Sequence, residues 1–288
     1  MRWPPFAHVF FDCDSTLTAV EGIDILAETA GKKWRVEVLT NAAMDGKLEL
    51  EHVYARRLQA IKPTHDQIRE IRRVYKRHVV EDAREVIAAL QLLGHQVYII
   101  SGGLAEPVEE FGVHLGVPRH HIRAVQVGYN RLAGHWWEEV HLETDKPAVE
   151  RYLDFEVGAL TISDGKAQIV RELLGEKHGE PEAASGRSLL IGDGRSDVLA
   201  GKAVDLFVGY GGVVERPSVR QEAPIYLQTP SLAPLLVLAA GPASGRRLLH
   251  TPYAHTFDKG IQLIQTGAFS FNDERLKAKL LQAIHATY

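Results

Sequence analysis

The stretch His8-Val9-Phe10-Phe11-Asp12-Cys13-Asp14-Ser15-Thr16-Leu17, with Glu21 shortly after it, decides the reading of this chain. Val9-Phe10-Phe11 is uncharged, β-branched and aromatic, the composition of a short strand buried on both faces. It ends at two acids spaced i, i+2, which in an extended chain point the same way. Ser15 and Thr16 then bend the chain away. Two carboxylates side by side repel each other, so a cation is expected to hold them there. A hard ion such as Mg²⁺, which takes carboxylate and backbone oxygens, suits the place. One carboxylate is then available as a nucleophile while its neighbour moves protons. The same residues also fit a polar turn that caps a helix. The stretch by itself leaves both readings open.

Downstream, Ile23, Ile25, Leu26, Val36, Val38 and Leu39 recur at helical spacing, before a polar break at Met44-Asp45-Gly46-Lys47. Helices are expected over 48–61, from Thr64 or Asp66 to about 79, and over 82–93, the last closed by Gly94. So much helix between two strands exceeds one crossover and predicts a small inserted subdomain. A second buried strand, 96–100, runs into Ser101-Gly102-Gly103 and is followed by a helix over 104–115. A strand at 122–127 and a hairpin at 130–142 around Trp136-Trp137 come next, then an unpatterned stretch, 143–161, with a short helix possible at 146–153. Ser163-Asp164-Gly165-Lys166 introduces a helix over 167–174. Strand 188–191 runs into Gly192-Asp193-Gly194-Arg195-Ser196-Asp197, ahead of a helix over 198–203. Strand 206–208 enters Gly209-Tyr210-Gly211-Gly212, and a helix over 213–222 leads to a final edge strand, 225–227. Apolar strands separated by helices predict an α/β fold, a Rossmann-like parallel sheet wound right-handed with helices on both faces. The tail, 241–288, reads as a loop with Pro242 and Pro252 and two helices, near 259–265 and from 273 to about 286. Packing on the core, self-association and a place at the substrate entrance are all open to it.

The 288 residues suffice for a sizeable core, and 45% apolar and 24% charged content is that of an ordinary globular chain. A net charge of −4 gives no footprint for nucleic acid and no polybasic membrane patch. One cysteine cannot form an internal disulfide, which suits a reducing compartment. No signal-peptide core precedes the first strand, and the apolar stretch 232–240 contains Pro234 and is too short to span a bilayer. A cytoplasmic protein is expected. The 14 histidines show no metal-ligand spacing, and Cys13 reads as a small buried apolar group.

Ligands of a parallel sheet bind outside the carboxyl ends of the strands. Here those ends carry Asp12 and Asp14, then Ser101, then Asp193 and Asp197, with Lys166 opening a helix near the same edge. Acids, a hydroxyl and a lysine together are what phosphoryl transfer requires: a nucleophile, carboxylates for a metal, and donors for phosphate oxygens.

In this order the residues resemble the motifs of the haloacid dehalogenase superfamily, and within it the phosphoserine phosphatases. Those motifs are Asp12-Cys-Asp14-Ser-Thr16, Ser101-Gly102, Lys166 and Gly192-Asp193-Gly-x-x-Asp197. The likeness extends over roughly 7–230. It includes Glu21-Gly-Ile-Asp24, Ala42-Ala-Met44-Asp-Gly46-Lys-Leu48 and Arg56-Arg57, which are similar to that family's cap sequence. Gly209-Tyr-Gly-Gly212 is similar to its late glycine turn.

The resemblance implies a haloacid dehalogenase-like core (1–17 and 80–240), a helical cap (18–79) and a C-terminal extension (241–288). It implies a Mg²⁺-dependent phosphoric monoester hydrolase working through an aspartyl-phosphate, with phosphoserine as substrate. By position, Asp12 is the expected nucleophile and Asp14 the acid and base. Ser101, Gly102 and Lys166 would hold the phosphate, and Lys166 would also screen Asp12. Glu21, Met44 and Arg57 would bind the rest of the substrate, Glu21 its ammonium and Arg57 its carboxylate. Asp12, the carbonyl of Asp14, Asp193 and, in support, Asp197 would bind the metal. Another small phosphomonoester, transfer to an alcohol, and a non-catalytic binding protein on the same fold are the alternatives. The partner expected is a small molecule, with neither nucleic acid nor membrane, and the extension offers a route to a homo-oligomer. Two departures stand out: Ser196 occupies the family's Asn or Thr position, and 143–162 reads as an insertion carrying a competing lysine, Lys146.

Overall fold

The computed structural model describes residues 3–44, 50–129, 152–175 and 186–288. Its centre is a seven-stranded sheet in the order β3-β2-β1-β6-β7-β8-β9. The strands are β1 (His8–Phe11), β2 (Gln96–Leu104), β3 (Ile122–Val125), β6 (Ser188–Gly192), β7 (Leu206–Tyr210), β8 (Ile225–Leu227) and β9 (Phe269–Phe271). All neighbours pair in parallel except β8 and β9. A two-stranded antiparallel pair, β4 (Val127–Tyr129) with β5 (Tyr152–Phe155), lies apart from it.

Strand alternation sorts the core into two layers. Val9, Phe11, Val97, Ile99, Leu189, Ile191 and Val208 face one side. Phe10, Tyr98, Ile100, Leu190 and Phe207 face the other, against α7 (Gly165–Leu173), α8 (Arg195–Ala200) and α9 (Pro217–Glu222). The first layer is covered by α5 (Ala83–Leu92), α6 (Ala105–His114) and α10 (Ala233–Ala240). Every residue of α10 is buried, so the late apolar stretch is the centre of a helical layer.

Among the described residues, four helices lie between β1 and β2 ahead of α5: α1 (Gly22–Thr29), α2 (Lys33–Met44), α3 (Leu50–Ile61) and α4 (His65–Arg77). Thr64 caps α4 through a reciprocal bond with Gln67, as the spacing Thr64-x-x-Gln67 allows. Ion pairs and a hydrogen bond tie α4 to α6: Arg72 and Lys76 pair with Glu110 at 2.5 and 2.6 Å, and the His65 ring is hydrogen-bonded to Glu106 at 2.9 Å. Among the described residues no helix is long and apolar enough to cross a membrane.

Several expectations need correction. Strand β2 does not stop at residue 100 but runs through Ser101-Gly102-Gly103 to Leu104, with a register irregularity against β3 that absorbs the glycines. The helix expected at 198–203 begins at Arg195, so Asp197 lies in its first turn. Residues 152–155 form β5, which takes the last two positions of the short helix considered at 146–153. The helix of 213–222 starts only at Pro217, whose fixed φ suits a first turn. Strand β8 is not an edge. The tail supplies β9 beyond it, between α12 (Ala254–Gln265) and α13 (Glu274–His285). Asn272 fastens β9 by donating to the carbonyls of Arg220, Gln221 and Ala223 at the end of α9. Another short helix, α11 (Gly245–Leu248), links α10 to α12. The hairpin at 130–142 lies outside the described residues.

Candidate active site

The chain builds the sheet from β1 outward through β2 and β3, then returns to the other side of β1 with β6. That reversal makes the β1/β6 crevice the topological switch point, where open α/β sheets bind ligands. Asp12 sits at its lip, with its N–H bonded to the Ile191 carbonyl at 3.0 Å. The amides of Thr16, Leu17 and Thr18 then converge on the Cys13 carbonyl at 3.2, 2.8 and 3.1 Å. This tight turn puts Ser15 at φ 55°, a costly conformation for a non-glycine residue. The Ser15 hydroxyl donates to Glu21 Oε1 at 2.7 Å, fixing the third acid of the stretch.

Lys166 Nζ bridges Asp12 Oδ1 at 2.8 Å and Asp197 Oδ1 at 2.7 Å. Gly165 makes this approach possible, because a Cβ there would fall 1.6 Å from the Ala159 carbonyl oxygen. Burial alone would lower the lysine's pKa, but Asp12 and Asp197 outweigh it and raise the value, keeping the ammonium charged. Asp12 Oδ1 also accepts from the Cys13 amide at 2.7 Å, which leaves Oδ2 for chemistry.

Asp12, Asp193 and Asp197 are buried, and each offers a carboxylate oxygen within 4.8 Å of the others. Asp193 Oδ1 accepts from the Thr16 hydroxyl at 3.3 Å, and Oδ2 from Arg216 Nε at 3.1 Å. Asp197 spends Oδ1 on Lys166 and Oδ2 on the Gly194 amide at 3.1 Å. Burial, then Glu21 and Asp12, push Asp193 up to about 7 against the pull of Arg216. Burial and Asp12 raise Asp197 despite Lys166, and burial and Glu21 raise Asp14 despite its hydrogen bond from Tyr75. Buried oxygen donors with this surplus of negative charge suit a hard divalent cation.

One cavity is lined by Asp12, Asp14, Glu21, Arg57, Ser101 and Lys166. Gly102 and Ser196 also line it. The Ser101 hydroxyl accepts from the Gly103 amide at 2.9 Å, and the Gly102 carbonyl accepts from the Tyr54 hydroxyl of α3 at 3.0 Å. Arg57 is buried where Arg56 is exposed. Its Nη1 donates to the Thr40 hydroxyl at 3.0 Å and its guanidinium lies 5.5 Å from the centre of the Tyr54 ring, yet its buried Nε has no hydrogen-bond partner. Arg57 lines the cavity, and a guanidinium at a cavity wall suits the oxygens of an anion.

The structure thus brings Asp12, Asp14, Glu21, Arg57, Ser101, Gly102 and Lys166 to one cavity, with Asp193 and Asp197 behind it. Met44 ends α2, and its side chain, like all of Lys146, lies outside what is described. Sequence reasoning missed Tyr54, Tyr75 and Arg216, and gave Thr16 a place in the turn and the motif without its bond to Asp193. Arg216 was accessible by a general rule, since it follows β7 on the edge where the other strands deliver their polar groups. The tyrosines carried no such signal, because on amphipathic helices they read as core.

The profile of the haloacid dehalogenase-like hydrolases matches residues 9–202. The phosphoserine phosphatase of Mus musculus is 31% identical over 220 residues, covering 76% of this chain and 88% of that protein. The chloroplastic phosphoserine phosphatase of Arabidopsis thaliana is 30% identical over 223 residues, covering 77% of this chain and 68% of that one. Among solved structures, a phospho-aspartyl intermediate analogue of phosphoserine phosphatase superposes with a TM-score of 0.63 at 23% identity, covering 81% of this chain and 98% of the other. A haloacid dehalogenase family hydrolase from Salmonella enterica also gives 0.63, at 18% identity over 83% of this chain and 73% of its own.

Proposed function

The chain belongs to the haloacid dehalogenase-like hydrolase family and is a phosphoric monoester hydrolase, and from that premise we propose that it hydrolyses O-phosphoserine to serine and phosphate with Mg²⁺ as cofactor. The observation that carries the substrate reading is one cavity lined by Asp12, Ser101 and Lys166 and also by Glu21 and Arg57, an acid and a base. A phosphate ester bearing both an ammonium and a carboxylate matches that arrangement. The relatives named above are phosphoserine phosphatases, which supports the same substrate.

In this reading Asp12 Oδ2 attacks phosphorus in line with the ester oxygen, forming an aspartyl-phosphate as the P–O bond to serine breaks. Asp14 gives its proton to the departing serine oxygen, then takes one from the water that cleaves the aspartyl-phosphate. Burial and Glu21 raise the pKa of Asp14, which favours the protonated acid that the first step needs. Lys166 neutralises Asp12 so that a phosphate dianion can approach, and Lys166 and Ser101 donate to its oxygens. Asp12, the Asp14 carbonyl and Asp193 would hold Mg²⁺, with Asp197 steadying Lys166 behind them. When bound, the ion supplies positive charge to the phosphoryl oxygens. Glu21 and Arg57 grip the amino acid, and residues 18–79 act as a cap over a core formed by 1–17 and 80–240.

Phosphate release measured across a panel of small phosphomonoesters, with Mg²⁺ and with EDTA, tests the proposal. O-phosphoserine should lead the panel and EDTA should silence it. A better substrate lacking the amino or carboxylate group would overturn the substrate assignment, and turnover in EDTA would overturn the cofactor. Phosphate esters of the added alcohols, formed when alcohols are present, would instead indicate transfer.

A further inference from the structure

Asp14 is gripped from the cap side by a residue that the reaction scheme above does not use. The hydroxyl of Tyr75, on α4, donates to Asp14 Oδ1. Tyr75 is 1% exposed, and its ring meets Phe111 of α6 edge-on with centroids 5.4 Å apart.

The neighbouring residues are shaped around this bond. Gly22 lies beside the hydroxyl, and a Cβ at Gly22 would fall 2.4 Å from Tyr75 Oη. Any larger residue there would push the phenol off Asp14. The Gly22 amide itself approaches Oδ2 at 3.4 Å. At Gly103 an added Cβ would meet the Ser101 hydroxyl oxygen at 3.1 Å and Asp14 Oδ2 at 3.3 Å, so those two oxygens border the same small space. Oδ1 is therefore turned to the tyrosine, and Oδ2 to the side where Ser101 stands.

The helix that carries Tyr75 is also anchored. Arg72 and Lys76, one turn before it and one residue after it, both pair with Glu110 of α6. The hydroxyl is held on the core irrespective of the rest of the cap.

We propose that Tyr75 is a positioning residue for Asp14, pinning Oδ1 so that Oδ2 faces the ester oxygen of the substrate. The inference rests on the reading of Asp14 as the proton donor to the leaving group. A wrongly turned carboxyl group cannot deliver its proton along the breaking bond, and displacement by an ångström is enough to cost about a hundredfold in rate.

The test compares kcat/KM, which reports steps up to departure of the leaving group, for two substrates. O-phosphoserine expels an alkoxide that needs a proton, and p-nitrophenyl phosphate expels an anion that does not. Five proteins are compared: wild type, Tyr75→Phe, Gly22→Ala, Asp14→Asn and the double variant of Tyr75→Phe with Asp14→Asn. Tyr75→Phe keeps the ring against Phe111 and removes only the hydroxyl. It should lower kcat/KM for O-phosphoserine by about ten- to a hundredfold and that for p-nitrophenyl phosphate by less than about threefold. Gly22→Ala should show the same split, giving a second route should Tyr75→Phe fold poorly. Tyr75→Phe added to Asp14→Asn should cost nothing more, as expected for residues acting through one another.

If Tyr75→Phe and Gly22→Ala lower both substrates equally, or neither, while Asp14→Asn separates them, the positioning role is wrong and the acid role stands. If Asp14→Asn fails to separate the substrates, the acid role is wrong and the proposal falls with it.

Discussion

Arg216 Nε lies 3.1 Å from Asp193 Oδ2, and both side chains are withdrawn from solvent. The guanidinium, brought in by the loop after β7, offsets part of the negative charge that Asp12, Asp193 and Asp197 concentrate at the switch point. Removing one member of a buried ion pair strands the other and costs roughly 3–5 kcal/mol. Arg216→Met should lose about that much stability in EDTA, and saturating Mg²⁺ should restore a large part because a bound cation takes over the neutralisation. Urea unfolding under the two conditions measures this. An equal loss in both would mean that Arg216 serves packing alone.

Asp193 stands at about 7 in the metal-free protein, raised by burial first and then by Glu21 and Asp12. A carboxyl group with a higher pKa folded than unfolded binds extra protons in the native state. Its stabilisation is present at low pH and is lost as pH rises through about 7. Raised pKa values at Asp14, Glu21 and Asp197 act in the same sense. Tm in EDTA should therefore fall between about pH 6.5 and about pH 8, and less so in Asp193→Asn. Mg²⁺ affinity, which needs the carboxylate anion, should rise over the same interval. A Tm in EDTA that climbs with pH there would contradict the assignment.

The proposed cap, residues 18–79, should respond unevenly to substrate. Helix α4 is fastened to α6 through Glu110 and Glu106, while α3 meets the core at the hydrogen bond from Tyr54 to the Gly102 carbonyl. With serine and beryllium fluoride bound together, amide exchange in α2 and α3 should slow, and α4 should change little. Uniform slowing from α1 to α4 would indicate a cap moving as one rigid piece, and no change anywhere would argue against closure.

Much of this was legible in the sequence because of chemistry that tolerates few alternatives. Asp12, Asp14, Ser101, Lys166, Asp193 and Asp197 each follow an apolar strand or open a helix at one sheet edge, so local pattern was enough to group them. Strand β9 was not legible: Phe269–Phe271 is short, and it pairs with β8 across more than forty intervening residues. Without it, β8 read as an edge. The bond from Tyr75 to Asp14 was hidden for a related reason. It spans 61 positions, and nothing local separates a tyrosine that packs from one that also donates. Arg57 differed from Arg56 only by the helix face it occupies, and the buried face is fixed by the tertiary fold.

The most direct measurement of the central claim is kcat/KM of Arg57→Ala on O-phosphoserine and on p-nitrophenyl phosphate. Arg57 lines the cavity, and the claim is that its guanidinium receives a substrate carboxylate. A lost hydrogen bond to a charged group is worth roughly 1.5–3 kcal/mol, or about ten- to a hundredfold. The account predicts a loss of that size for O-phosphoserine and little change for p-nitrophenyl phosphate, which has no carboxylate to hold. An equal loss on both substrates, or no loss on O-phosphoserine, would contradict it.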